Sequence, residues 1–383
     1  MLEDDPEKSR GAARYLISAN PHLARALRFR ARRWNVAGWT TSDGLVRPIE
    51  AARRAIAAHT LTARSYSPTA LQHYALCPYK FFLYAVWKLA PREEPEAIEE
   101  LDPLQRGSLV HAVQFALFGV LRDAELLPVT TDRLGAARNH LDTVLEKVAA
   151  KFKDDLAPAI ERVWRDGVES VRADLREWLR LATLDDSGFV PWRFELSFGL
   201  PSDRDADPAS RPEPVTIDAG LCLRGSIDLV ERAGASLAQR AEGERSPSGF
   251  HLRVTDHKTG KERFEPGAVV DGGRTLQPVL YALALEKLFP GETVDSGRLY
   301  YCTTAGNFAQ RVVDLDDGAR AAARTVAETI GAALDAPFLP AAPDRGACRW
   351  CDYRPVCGPY EERRVARKYQ PDLAALHKLR GLQ

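Results

Sequence analysis

Two acids and a lysine hold most of the chemistry legible in this sequence. Asp228 lies in Arg224-Gly225-Ser226-Ile227-Asp228-Leu229-Val230, and Asp256 and Lys258 lie in Leu252-Arg253-Val254-Thr255-Asp256-His257-Lys258-Thr259-Gly260. Both segments read as strands. The residues between them, 232–249, are rich in Gly, Ser, Arg and Glu and read as the long solvated loop of a hairpin. Side chains two apart on a strand share a face, so Asp256 and Lys258 point one way and a neighbouring strand can bring Asp228 beside them. Carboxylates bind Mg2+ through oxygen, and a nearby ammonium can orient or deprotonate a water or offset charge on a phosphate. Phosphodiester hydrolysis uses this set of groups. An isolated Asp-x-Lys is weak grounds for it, because strand-end acids and solvated lysines are ordinary, so the surrounding elements must decide.

Those elements alternate. Ser67 before Pro68 starts a capped helix that Pro78 ends or kinks just after Cys77, and a second helix carries Phe81 to Leu89, its aromatics assigned to the core. Residues 106–121 form a helix with His111 in its first turns. Residues 131–184 give two long helices of heptad-like apolar pattern, read as scaffold with their arginines, including Arg162, Arg172 and Arg176, on a solvated face. Trp192, Phe194, Leu196 and Phe198 alternate along a strand, which places Glu195 on its other face and leaves it out of the site. Helices over 275–288 and 316–334 and a strand over 297–303 follow. Such alternation indicates an α/β fold, a central mixed sheet flanked by helices.

Gly-x-x-Asp on one strand followed by Asp-x-Lys-Thr-Gly on the next resembles the PD-(D/E)XK nuclease superfamily, and its RecB-like branch above all. Two further stretches match that branch in order. Arg106-Gly107-Ser108-Leu109-Val110-His111 resembles its metal-binding histidine helix, and Gln277-Pro278-Val279-Leu280-Tyr281 its Gln-x-x-x-Tyr helix, whose residues four apart share a face. The resemblance implies a restriction-endonuclease-like core with helical insertions. It implies Asp228 and Asp256 as Mg2+ (or Mn2+) ligands, His111 as a further ligand, and Lys258 positioning or activating water. Gln277 and Tyr281 are implied to position the phosphate or nucleophile. His257 stands where the family often has an apolar residue or tyrosine; its side chain should face away from the site, leaving its carbonyl to reach the metal. The same ligands can serve one ion or two.

Cys348, Cys351 and Cys357 give C-x2-C-x5-C, one thiolate short of a tetrahedral set. In the family's pattern Cys77 supplies the fourth, and the set holds a 4Fe-4S cluster that staples the C-terminal segment to the N-terminal helix. A four-cysteine zinc site has the same ligand count. Cys222 and Cys302 sit in strand-like contexts as core thiols.

Lys plus Arg and Asp plus Glu both number 53, so any attraction to nucleic acid must come from local patches. The run from His22 to Trp39 interleaves Arg25, Arg28, Arg30, Arg32 and Arg33 with Leu27, Phe29 and Trp34, and reads as a docking helix or as a phosphate-contacting one. Glu361 to Lys368 reads as a solvated terminal helix. Residues 1–62 form a helical arm resembling the end of a helicase-like region in AddB-type helicase-nuclease subunits; 63–360 form the nuclease domain with a helical insertion over 130–185, and 361–383 a helical tail. No G-x-x-x-x-G-K-[ST] occurs, so a motor would sit on a partner helicase. With no bilayer-length apolar run and no signal-peptide pattern, the expectation is a soluble cytoplasmic protein. The function the resemblance implies is Mg2+-dependent cutting of DNA, as a single-strand exonuclease, during double-strand-break processing. The alternatives are a non-catalytic DNA-binding scaffold subunit and a stand-alone nuclease of the CRISPR iron-sulfur type.

Overall fold

The computed structural model describes residues 14–45, 49–90, 100–201, 207–234 and 250–383. Contacts divide the chain into one unit of residues 1–60, 73–90 and 329–380 and a second of 61–72, 91–328 and 381–383. Helices open the chain: α1 (Pro21–Asn35), α2 (Glu50–Ala57), α3 (Pro68–Leu76) and α4 (Pro78–Phe81), the last continued by a wider π turn over Phe82–Val86. Pro78 breaks the path as its missing N–H requires, with Cys77 extended at the junction.

In the second unit, α5 (Pro103–Asp123) starts in a reciprocal cap between Asp102 and Gln105, with Pro103 at its first position. It packs with α6 (Leu134–Leu156) and α7 (Glu161–Ala182). Leu109, Val113, Leu117, Leu141, Leu145 and Leu175 are fully buried at the core these helices share. Arg172 is not solvated as the pattern suggested: its guanidinium reaches Asp142 of α6 at 2.9 Å, and also Glu146 and Glu169, while Arg176 reaches Asp142 at 2.5 Å. The helix pair is thus clamped by charge along one seam. Arg162 remains exposed.

The sheet has strand order β1-β4-β5-β6-β7, with β1 at Val190–Phe198, β4 at Gly225–Ala233, β5 at His251–Lys258, β6 at Thr293–Tyr301 and β7 at Gln310–Asp314. β2 (Val215–Ile217) and β3 (Leu221–Leu223) make a separate hairpin. Neighbours are antiparallel except β5 and β6, so the sheet is mixed and β5 pairs with β4 as a hairpin. Residues 235–249 of the loop joining β4 to β5 lie outside the described residues.

A parallel pair needs a crossover, and α8 (Gln277–Leu288) supplies it. The helix is buried almost throughout because it lies directly on β6. A Cβ added to Gly297 would fall 2.1 Å from the Pro278 carbonyl oxygen. On the other face, Phe118 of α5 stacks parallel on Phe194 of β1 at 4.8 Å and meets Trp178 edge-on at 5.5 Å. Helices therefore cover both faces. No helix among the described residues is long and apolar enough to cross a membrane.

After α9 (Asp317–Asp335) come α10 (Arg354–Cys357), α11 (Glu361–Val365) and α12 (Ala374–Arg380). The reading of 361–368 as a solvated helix is corrected: Glu361, Arg364 and Lys368 are buried. Arg364 binds Asp43 Oδ1 and Glu361 Oε2, each at 2.6 Å. Lys368 Nζ binds Asp43 Oδ2 at 2.7 Å and the carbonyls of Val36 and Gly38. One acid satisfies two cations, and basic composition alone cannot reveal that. Asp43→Ala leaves both buried charges under-compensated and should cost about 3–5 kcal/mol in urea unfolding. Gly297→Ala should lower Tm because α8 must lift from β6, whereas Gly119→Ala, which meets nothing within 4 Å among the described residues, should not.

Candidate active site

The site forms where two strands stop pairing. β4 and β5 are in register from Ala233 and His251 up to Leu229 and Thr255. One step further, Asp228 Oδ2 accepts the backbone N–H of His257 at 2.7 Å, so a carboxylate enters between the strands. Asp256 and Lys258 project on the same side of β5, with Lys258 Nζ 2.6 Å from Asp256 Oδ2. His111 of α5 puts Nδ1 3.4 Å from Asp228 Oδ2. The elements predicted to converge do so.

Glu195, which the alternation left out, joins them. Its neighbours Phe194 and Leu196 pair with Leu229 and Ile227, which sets it opposite Asp228, and its φ of +49° is rare for a residue with a Cβ. Its Oε2 accepts the Ser226 hydroxyl at 2.8 Å. One ligand atom from each of His111, Glu195 and Asp228 lies within 4.8 Å of the others. The signal available was a lone acid between an aromatic and an aliphatic core residue on a strand beside the one that carries Asp228.

Electrostatics favour a cation here. Burial, with the charges of Asp256 and Glu195 added, holds the Asp228 carboxyl well above the usual carboxylate range. Burial and Asp256 push Glu195 up as well. Burial pushes His111 down, toward the neutral form that can donate a lone pair to a metal. For Lys258, burial opposes the charge, but Asp256 and Asp228 outweigh it and raise its pKa. Three crowded carboxylates, a neutral imidazole and one ammonium suit a hard divalent ion, which would relieve the repulsion.

Gln277 and Tyr281 lie one turn apart on α8 and are both buried. Gln277 Oε1 accepts from Gln72 Nε2 at 3.0 Å. Burial raises the Tyr281 phenol far up, and Asp256, Asp228 and Glu195 push it further, which puts the ring within their field. A Cβ on Gly225 would meet the Tyr281 hydroxyl at 2.8 Å, which accounts for the glycine three residues before Asp228. The His257 ring turns to the helical face, edge-on to Trp178 at 5.8 Å and tilted against Tyr300 at 5.9 Å. The ring does not wholly leave the site as the sequence suggested: its Nδ1 lies 4.0 Å from Asp228 Oδ2 and it meets the His111 ring edge-on at 6.5 Å.

In the first unit, Cys77, Cys348, Cys351 and Cys357 line one cavity. Burial pushes the Cys77 and Cys348 thiols up to about 11 and Cys357 to about 12, neighbouring cysteines adding to each. Cys302 is buried and Cys222 partly so.

Without a cation, the acid cluster strains the fold at pH 8. Both shifted acids have folded pKa values raised above the unfolded ones, so their contribution is lost as pH rises through that window. Asp228→Asn should therefore raise the Tm of the metal-free protein at pH 8 by a few degrees and abolish the further rise that Mg2+ or Mn2+ gives the parent, both read by thermal melts.

The family model described as PD-(D/E)XK nuclease superfamily matches residues 65–358. The chain is also similar to an ATP-dependent helicase/deoxyribonuclease subunit of Ruminiclostridium cellulolyticum, 26% identical over 248 residues, which is 62% of this chain and 19% of that protein. It thus spans less than a fifth of that relative's length. With the family model covering the sheet and its flanking helices, the chain belongs to the PD-(D/E)XK nuclease superfamily.

Proposed function

We propose that the chain is a divalent-metal-dependent deoxyribonuclease that works beside a helicase on broken DNA ends, in the cytoplasm, with single strands cut from an end. The observation that carries this reading is the gap between β4 and β5 that gathers Asp228, Asp256, Glu195, His111 and Lys258. Asp228, Asp256, Glu195 and His111 would hold Mg2+ or Mn2+, with the His257 carbonyl as a further oxygen. When bound, the ion supplies an acidified water and a charge against the phosphate. Lys258, whose pKa is raised, stays protonated at neutral pH; it donates to the attacking water or to the non-bridging oxygen rather than abstracting a proton. Gln277 and Tyr281 orient the phosphate from α8. DNA as substrate and a helicase as partner are supported by the name of the relative.

The four thiols are proposed to hold a 4Fe-4S cluster. Four thiols lining one cavity give the ligand count of either a zinc ion or a cluster, and the resemblance of the cysteine pattern to that of the RecB-like branch is what selects the cluster.

Anaerobically purified protein with Mg2+ and no ATP should degrade end-labelled DNA, and Asp256→Ala and Lys258→Ala should each lose at least about a hundredfold in rate while keeping their fold. Binding without cutting in the parent, with Mn2+ and a helicase supplied, would instead make this a scaffold protein. Cys351→Ala should bleach visible absorbance, lower iron content and lower Tm; zinc with no iron in the parent would overturn the cluster assignment.

A further inference from the structure

A chain of zero net charge can still segregate its charges. Among its described residues, the first unit carries 19 Lys and Arg against 8 Asp and Glu. This unit also contains a groove of about 500 Å³, within the range of sites for small organic ligands. One wall is a face of α1 at helical spacing: Phe29, Arg30, Arg33 and Trp34. Tyr79 and Phe82 line it too, with rings stacked at 5.9 Å and 19°.

The two arginines differ. Arg33 is committed: it binds Glu361 at 2.5 Å and the Cys357 carbonyl at 3.1 Å. Arg30 has no ion pair among the described residues, and its guanidinium lies 5.7 Å from the centre of the Trp34 ring. No residue of α1 is buried, and Phe29 is 48% exposed, so these rings are held at the surface rather than consumed by a core. Aromatic rings lining a groove together with a cation that has no ion pair among the described residues match a base and its phosphate. An apolar peptide would leave Arg30 uncompensated, and a simple anion would make no use of the rings.

We propose that this groove binds single-stranded DNA, seating one nucleotide with its base against the exposed Phe29 ring and its phosphate on Arg30. The inference rests on the deoxyribonuclease reading for its choice of polymer, and it makes the groove a strand-holding site with its own chemistry. Mixed exposure also makes the test practicable, because Phe29 and Arg30 can be truncated without touching a core.

The full chain is titrated into a fluorescein-labelled fifteen-nucleotide thymidine strand in EDTA, with binding read by anisotropy. Phe29→Ala and Arg30→Ala should each weaken binding at least about fivefold. Against an abasic strand of equal length, the Phe29→Ala loss should vanish, whereas the Arg30→Ala loss should persist and the salt slope should fall by about one. Unchanged affinity in both variants overturns the groove, as does a Phe29→Ala loss of equal size on the abasic strand. Mg2+-dependent cutting is measured separately. Groove-dependent binding without cutting sinks the nuclease reading alone, and cutting with groove-independent binding sinks the groove alone.

Discussion

The hydrogen bond from the His257 amide to the Asp228 carboxylate is the constraint on which the site depends. An antiparallel pair of strands would ordinarily continue its ladder; here the carboxylate replaces the next backbone acceptor and the strands part. A continued ladder would have closed the gap beside Asp228. Because the donor is the residue between Asp256 and Lys258, the same bond fixes the distance from the first acid to the second acid and the lysine. The positive φ of Glu195 sits across from this point on β1, so the distortion extends over three adjacent strands.

The two faces of β4 and β5 solve opposite electrostatic problems. On the face that carries Phe118 and Trp178, Arg253 and Arg298 both bind Glu231, Thr255 donates to Glu231 at 2.7 Å, and Arg298 Nε donates to Thr255 at 2.9 Å. Burial would raise the Glu231 carboxyl, but Arg298 and Arg253 pull it below the usual range. On the opposite face, Asp228 is raised by burial and by acids. One sheet thus carries a satisfied network behind a frustrated one. A fully paired network resists rearrangement, so the rear holds in place a front whose charges would otherwise push the strands further apart. Stability is given up at the acid cluster and retained immediately behind it.

Much of this was legible in the sequence because the information is local. Asp-x-Lys on a strand, Gly-x-x-Asp before it, and Gln and Tyr one turn apart each state a face and a spacing. The strand hairpin, the long helices and the crossover helix were legible for the same reason. Glu195 was missed because strict alternation was applied to a strand whose backbone leaves the β region at that residue. Arg172, Glu361, Arg364 and Lys368 were misjudged because charge on a helix reads as solvated until its partner is known. Asp43, the partner of two of them, lies more than 300 residues away in sequence.

The cysteines show that limit from the other side. C-x2-C-x5-C states three ligands, and nothing within reach of it supplies a fourth. Folding places Cys77 at the start of α4, where Pro78 forces the chain out of the preceding helix and leaves the cysteine extended. The proline that reads locally as a helix breaker is thus what sets the thiol apart from the helix at the cavity lined by the other three. Arg33 of α1 donates from Nη1 to the Cys357 carbonyl and from Nη2 to Glu361, and Glu361 binds Arg364, which binds Asp43. A buried ionic chain therefore runs from the early loop to the last cysteine. Any group held by the four thiols and this chain of charges would close the same stretch of polypeptide twice, by soft ligands and by hard ones, and losing either would leave the other to hold a segment it was not built to hold alone.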